Sequence, residues 1–182
     1  MLATARWMAV SVWLFLGVAW ASPTGPYAGQ EQRAIKALSA GEIQDILAGK
    51  GLGYAKAAEL NHYPGPAHVL ELAPQLGLSE KQMARTRAIF SAMQKDAMRH
   101  GQALVEKERE LDRRFATGAI DTESLHKLLV EIAAVQAELR RVHLQAHLDQ
   151  RLLLTPEQIS RYDALRGYGS SAGDRAHGGH SH

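Results

Sequence analysis

Three stretches of this chain repeat one helix-start device: Leu38-Ser39-Ala40-Gly41-Glu42-Ile43, Leu78-Ser79-Glu80-Lys81-Gln82-Met83 and Leu154-Thr155-Pro156-Glu157-Gln158-Ile159. In each, a Ser or Thr is placed to accept a hydrogen bond from a backbone N–H of the first helical turn. Three residues on, Glu42, Gln82 or Gln158 can reach back to the cap's own N–H. The flanking apolar residues stand where a hydrophobic staple needs them. Pro156 takes the first helical position, where its missing N–H costs nothing. The device fixes where helices begin and commits the chain to an all-helical plan.

Hydrophobic spacing supplies the helices themselves. Met83, Phe90, Met93, Ala97, Leu104, Leu111 and Phe115 recur at intervals of three, four or seven. That is one apolar stripe on a helix of about 37 residues, ending near Ala116. Charge covers its other faces, as in Glu106-Lys107-Glu108-Arg109-Glu110. Thr117-Gly118-Ala119-Ile120 reads as a reversal, with Asp121 capping the next helix. Leu125, Leu128, Ile132, Val135, Leu139, Val142, Ala146 and Leu153 form the second stripe. The spacing predicts an all-α fold: an antiparallel long-helix hairpin with short flanking helices. Two helices leave part of each stripe bare. A second copy would cover it, giving a dimer of hairpins. The alternative is a monomeric bundle in which residues 35–76 complete the core.

The remaining organisation follows composition. Residues 1–21 read as a signal peptide: Arg6, an apolar run from Trp7 to Trp20, and a small-x-small site at Ala19-Trp20-Ala21. An uncleaved membrane anchor is the alternative, although the run is short for a span. Residues 22–30 form a flexible leader rich in Pro, Gly and Ser. Residues 31–76 carry short helices and turns, with one or two helical pieces in 31–47, a further turn in 54–60 and a helical stretch over 68–76 broken at Pro74. Residues 77–166 hold the hairpin and a short last helix. Residues 167–182 form a disordered tail containing His177, His180 and His182.

The chain has no cysteine, so an exported form has no disulfide framework and no thiolate chemistry. Its formal charge is +2, or +1 without Arg6. That balance, with mixed charge on the helices, does not suggest a nucleic-acid partner, and an exported address argues against one. Gly49-Lys50-Gly51 lacks the spacing and the following Ser/Thr of a phosphate loop. No matched acid and base or activated nucleophile is visible, so no enzyme is expected.

Leu78-Ser79-Glu80-Lys81-Gln82 before the first long helix and Leu154-Thr155-Pro156-Glu157-Gln158 after the second resemble the paired Leu-Thr-x-x-Gln motifs of the Spy/CpxP family. The relatives of that family include the zinc-linked ZraP and the nickel/cobalt sensor CnrX. The likeness covers residues 76–166. The second motif matches in full, and the first has Ser79 where Thr is usual. The resemblance implies a periplasmic homodimer of helical hairpins. It also implies ATP-independent chaperone work on unfolded clients in envelope stress, or heavy-metal sensing passed to a membrane-bound regulator. The segment from Tyr54 to Leu76 has no counterpart in the small chaperones.

His143 and His147 are spaced i, i+4 on the second long helix, so both imidazoles project from one face within reach of one ion. Neutral imidazoles suit Ni, Co, Cu or Zn; no organic cofactor is implied. The bland alternative is two solvated histidines beside Arg140 and Arg141. In a hairpin turning near Gly118, His143 lies level with Met93 or Gln94, so Met93 is either core or a thioether ligand. His62, His68 and Glu59 are further candidate ligands if their region packs over the hairpin. His177, His180 and His182 could collect metal loosely, or be an uninformative tail. His100 reads as a satisfied core or interface residue, and His126 as solvated. The basic residues on the first long helix suit either a client-holding face or a solvated, salt-bridged one.

Overall fold

The computed structural model describes residues 25–168. The signal-peptide reading, the first leader residues and the tail histidines His177, His180 and His182 lie outside them. The chain divides into residues 1–31 and residues 32–182. Within the first unit, residues 25–31 form a run of turns, with Ala28 N–H donating to the Gly25 carbonyl and Gln30 N–H to that of Tyr27.

The second unit is all-α. In chain order the helices are α1 (Ala40–Leu47), α2 (Lys56–Glu59), α3 (Pro66–Glu71), α4 (Ala73–Leu76), α5 (Glu80–Ala116), α6 (Thr122–Leu153) and α7 (Pro156–Arg166). Among the described residues, none of these is long and apolar enough to cross a membrane. The three repeated capping devices all form. Ser39, Ser79 and Thr155 accept from the N–H of Glu42, Gln82 and Gln158, each at 3.2 Å. The return bonds run to Glu42, Gln82 and Gln158 at 2.8, 3.0 and 3.0 Å. Asp121 caps α6 in the same way, with Ser124 as its reciprocal partner.

Helices α5 and α6 make the hairpin. Gly118, at φ +67, turns the chain between them in a conformation that other residues adopt only with strain. Their antiparallel register is fixed by Lys107 Nζ on Glu131 at 2.8 Å and, further along, by Gln150 Nε2 donating to Thr86 Oγ1 at 3.2 Å.

The apolar interior is in two parts. Leu104, Val105, Ile132, Leu139 and Val142 fill the middle of the hairpin, and Ile35 and Ile46 close over them. Each such side chain contributes about 1.5–3 kcal/mol on burial. Val69, Leu76, Leu154 and Tyr162 form the second part at the open end, where α3 and α4 meet α7. Along α6, the buried polar residues His143, His147 and Gln150 fall between these clusters.

Residues 31–38 are turns with an isolated bridge between Ile35 and Leu38, so residues 31–47 hold one helical piece, the lower of the two expected numbers. Two local expectations change. The break in 68–76 falls at Leu72; Pro74 sits in the first turn of α4, where proline needs no N–H partner. The ordered chain also runs past residue 167: Gly167 ends α7 at φ +74, and Tyr168 packs back on the fold. Segment 35–76 covers one side of the hairpin. The outer side of α6 stays bare, with Val130, Leu148 and Leu152 exposed by 55, 46 and 87%.

Candidate metal centre

Helical spacing places His143 and His147 one turn apart on α6, and the short N-terminal helices bury them to 3 and 8% exposure. His143 lies against Gly51 and stacks on Tyr54, ring centroids 6.1 Å apart. Its Nε2 is buried and has no hydrogen-bond partner. Burial, with the neighbouring His147, holds its pKa below the usual histidine range, so the ring is neutral and carries a lone pair.

His147 is oriented from behind. Its Nδ1 lies 2.7 Å from the Tyr63 carbonyl, an acceptor only, so Nδ1 carries the proton and Nε2 is left as the free donor atom. Such a backbone anchor is what a metal-binding imidazole commonly uses. Gly65 makes room beside it. A Cβ there would stand 3.1 Å from His147 Nε2 and 3.3 Å from Glu59 Oε2, so both donors border one small space.

Glu59, on α2, is fixed by a separate network. Its Oε1 accepts from Tyr162 at 2.5 Å and Tyr168 at 3.1 Å, with Arg166 Nε 3.5 Å away. Its Oε2 is 3.7 Å from His147 Nδ1. Burial and the Glu59 charge push the Tyr162 phenol far above its ordinary pKa, so it remains a donor.

Glu59, Gly65, His143 and His147 line a cavity of about 730 Å³, together with Phe90, Met93 and His68. Of the residues singled out in the sequence, Glu59, His68, Met93, His143 and His147 therefore line one cavity, and Met93 also packs against the hairpin core. His68 Nδ1 lies 3.1 Å from Glu71. His62 is elsewhere: at φ +66 it turns to Asp163, Nδ1 to Oδ2 at 2.7 Å, in a smaller pocket with Arg151 and Ser160. Arg151 donates to its carbonyl, which holds that turn. Among the described residues, no three His, Asp or Glu side chains already converge as a group able to hold a metal ion.

The donors present still fit a transition ion in kind. Two imidazole nitrogens, one with its hydrogen-bonding capacity unused, a carboxylate oxygen and a thioether make a borderline-soft set of the sort Ni, Co, Cu and Zn accept. The tyrosine partners of Glu59 and the space at Gly65 carry no sequence signal of this role; Pro64-Gly65-Pro66 reads only as a turn.

A family model described as heavy-metal resistance matches residues 51–161. The chain belongs to the heavy-metal resistance family. The match begins at the glycine that lies against His143 and runs into α7, so it contains Glu59, His68, Met93, His143 and His147. No curated protein and no solved structure matches the chain.

Proposed function

We propose that this member of the heavy-metal resistance family binds a divalent transition ion through His143 and His147, with Glu59 and Met93 as further ligands, in the course of metal sensing or resistance. The supporting observation is His143 Nε2, a buried ring nitrogen without a hydrogen-bond partner. Leaving such a group unpaired costs about 1–3 kcal/mol, and a bound cation removes that cost. When present, the ion would supply a charge that draws Glu59 and the two imidazoles together. The role is binding rather than catalysis, in an exported homodimer that signals to a membrane-bound regulator. His177, His180 and His182 serve as a weaker collecting site.

Calorimetric titration of Ni, Co, Cu and Zn into the chain from residue 22 tests this. One tight site per chain is expected, lost in His143→Ala and in His147→Ala and kept when residues 169–182 are deleted. Loss of all tight binding on that deletion would refute the cavity site.

One observation favours an added holdase role of the Spy/CpxP kind. Val130, Leu148 and Leu152 are bare apolar side chains on the outer face of α6, suited to an unfolded client or a second copy. Suppression of aggregation of a denatured client without metal, weakened by Leu148→Lys, would support it. No suppression at equimolar protein would dismiss it.

A further inference from the structure

We infer that the cavity takes its metal as a chelate, a divalent ion already carrying a small carboxylate-bearing molecule such as a hydroxycarboxylate or an amino acid. The inference rests on the metal reading above and specifies its ligand class.

Donor count is the first argument. First-row divalent ions take four or more ligands. The buried wall offers two imidazole nitrogens and Glu59, with Met93 as a soft fourth, and no three of the charged or imidazole groups converge among the described residues. Coordination positions are left over for an outside ligand.

Size is the second. About 730 Å³ lies within the ~300–1,000 Å³ typical of small-molecule sites. It far exceeds the roughly 30 Å³ of one water. Leu60, Pro66 and Phe90 give the cavity apolar walls against which an organic skeleton can pack.

Charge is the third. A divalent ion on one carboxylate leaves a net positive centre. Lys50 and Lys56 also line the cavity and are exposed to solvent. Lys50 is already held by Asp45 at 2.7 Å. Lys56, exposed on α2, is the ammonium placed to meet a carboxylate of the incoming chelator. Glu71, which also lines the cavity, is paired with His68. An anionic co-ligand is therefore favoured over a neutral one.

Native mass spectrometry of the chain from residue 22 tests the inference, with Ni²⁺ alone, citrate alone and nickel citrate as probes. The expected result is one citrate retained per nickel per chain, and none without nickel. Lys56→Gln should weaken citrate retention about tenfold and leave the affinity for Ni²⁺ alone unchanged. With nickel citrate as the probe, nickel retained without citrate, or stripped from the protein by citrate, overturns the inference and leaves the metal reading standing. Citrate bound without nickel, or retained equally by Lys56→Gln, also overturns it. Failure to bind nickel in any form overturns the inference, and failure of Co, Cu and Zn as well removes the metal reading.

Discussion

Gln82 and Gln158 exchange hydrogen bonds across the open end of the hairpin: Gln82 Nε2 donates to Gln158 Oε1 at 2.7 Å, and Gln158 Nε2 donates to Gln82 Oε1 at 3.2 Å. Each oxygen also accepts its own helix cap's N–H, from Ser79 and Thr155. Each amide nitrogen reaches a carbonyl of a neighbouring segment as well, Leu153 at 3.1 Å and Leu76 at 3.4 Å. Two capping boxes, 76 residues apart, are thus one network.

Gln158→Ala should therefore cost more than an ordinary capping-box residue, about 1–3 kcal/mol in urea unfolding, because it strands a cap N–H and a carbonyl together. Gln82→Ala should be non-additive with it, by roughly 0.5–3 kcal/mol in a double-mutant cycle. Simple additivity would mean that the exchange carries no energy of its own.

Gly101 on α5 permits a close approach of α1. A Cβ there would collide with the Ile46 carbonyl and stand 3.0 Å from Ile46 Cγ2. Gly101→Ala gains helix propensity of about 1 kcal/mol. It should nevertheless destabilise by about 1–3 kcal/mol, since α1 must lift from the hairpin. Hydrogen exchange should show residues 40–47 losing protection first; uniform loss along the chain would contradict this cause.

Gly65 has an ordinary backbone conformation, φ −82 and ψ 139, so alanine fits its backbone. Its Cβ would press on the His147 ring at 2.9 Å and on Glu59 at 3.3 Å. Gly65→Ala should weaken metal binding about 10–100-fold, the range typical of disturbed supporting shells. Unaltered affinity in calorimetry would mean that the space beside Gly65 is not where the ion lies.

The Asp121 carboxylate is held below its ordinary pKa by its bonds to the Ser124 backbone and side chain. A depressed acid stabilises the fold above its unfolded pKa, near 3.8. That contribution disappears as pH falls through the lower folded value. The Tm advantage of the wild type over Asp121→Asn should therefore be full above about pH 5 and shrink below pH 4. A difference independent of pH would show that the charge is irrelevant to the cap.

The hairpin was legible because its causes are local. Ser79, Asp121 and Thr155 act within one turn, and the stripes from Met83 and Leu125 need only helical periodicity. His143 and His147 were legible as a pair for the same reason, and their level with Met93 followed from counting back from Gly118. What sequence could not supply was tertiary. The Gln82–Gln158 exchange, the clamp of Tyr162 and Tyr168 on Glu59, and the departure of His62 toward Asp163 all join residues 76 to 109 positions apart. Pro74 misled because proline marks a first helical turn as readily as a break.

With a glycine bend at one extremity and an interlocked amide pair at the other, the two rods cannot scissor apart without undoing a lock. The rods therefore hold His143 and His147 at a set height, and the thin roof of one- and two-turn segments brings Glu59 and Gly65 over them.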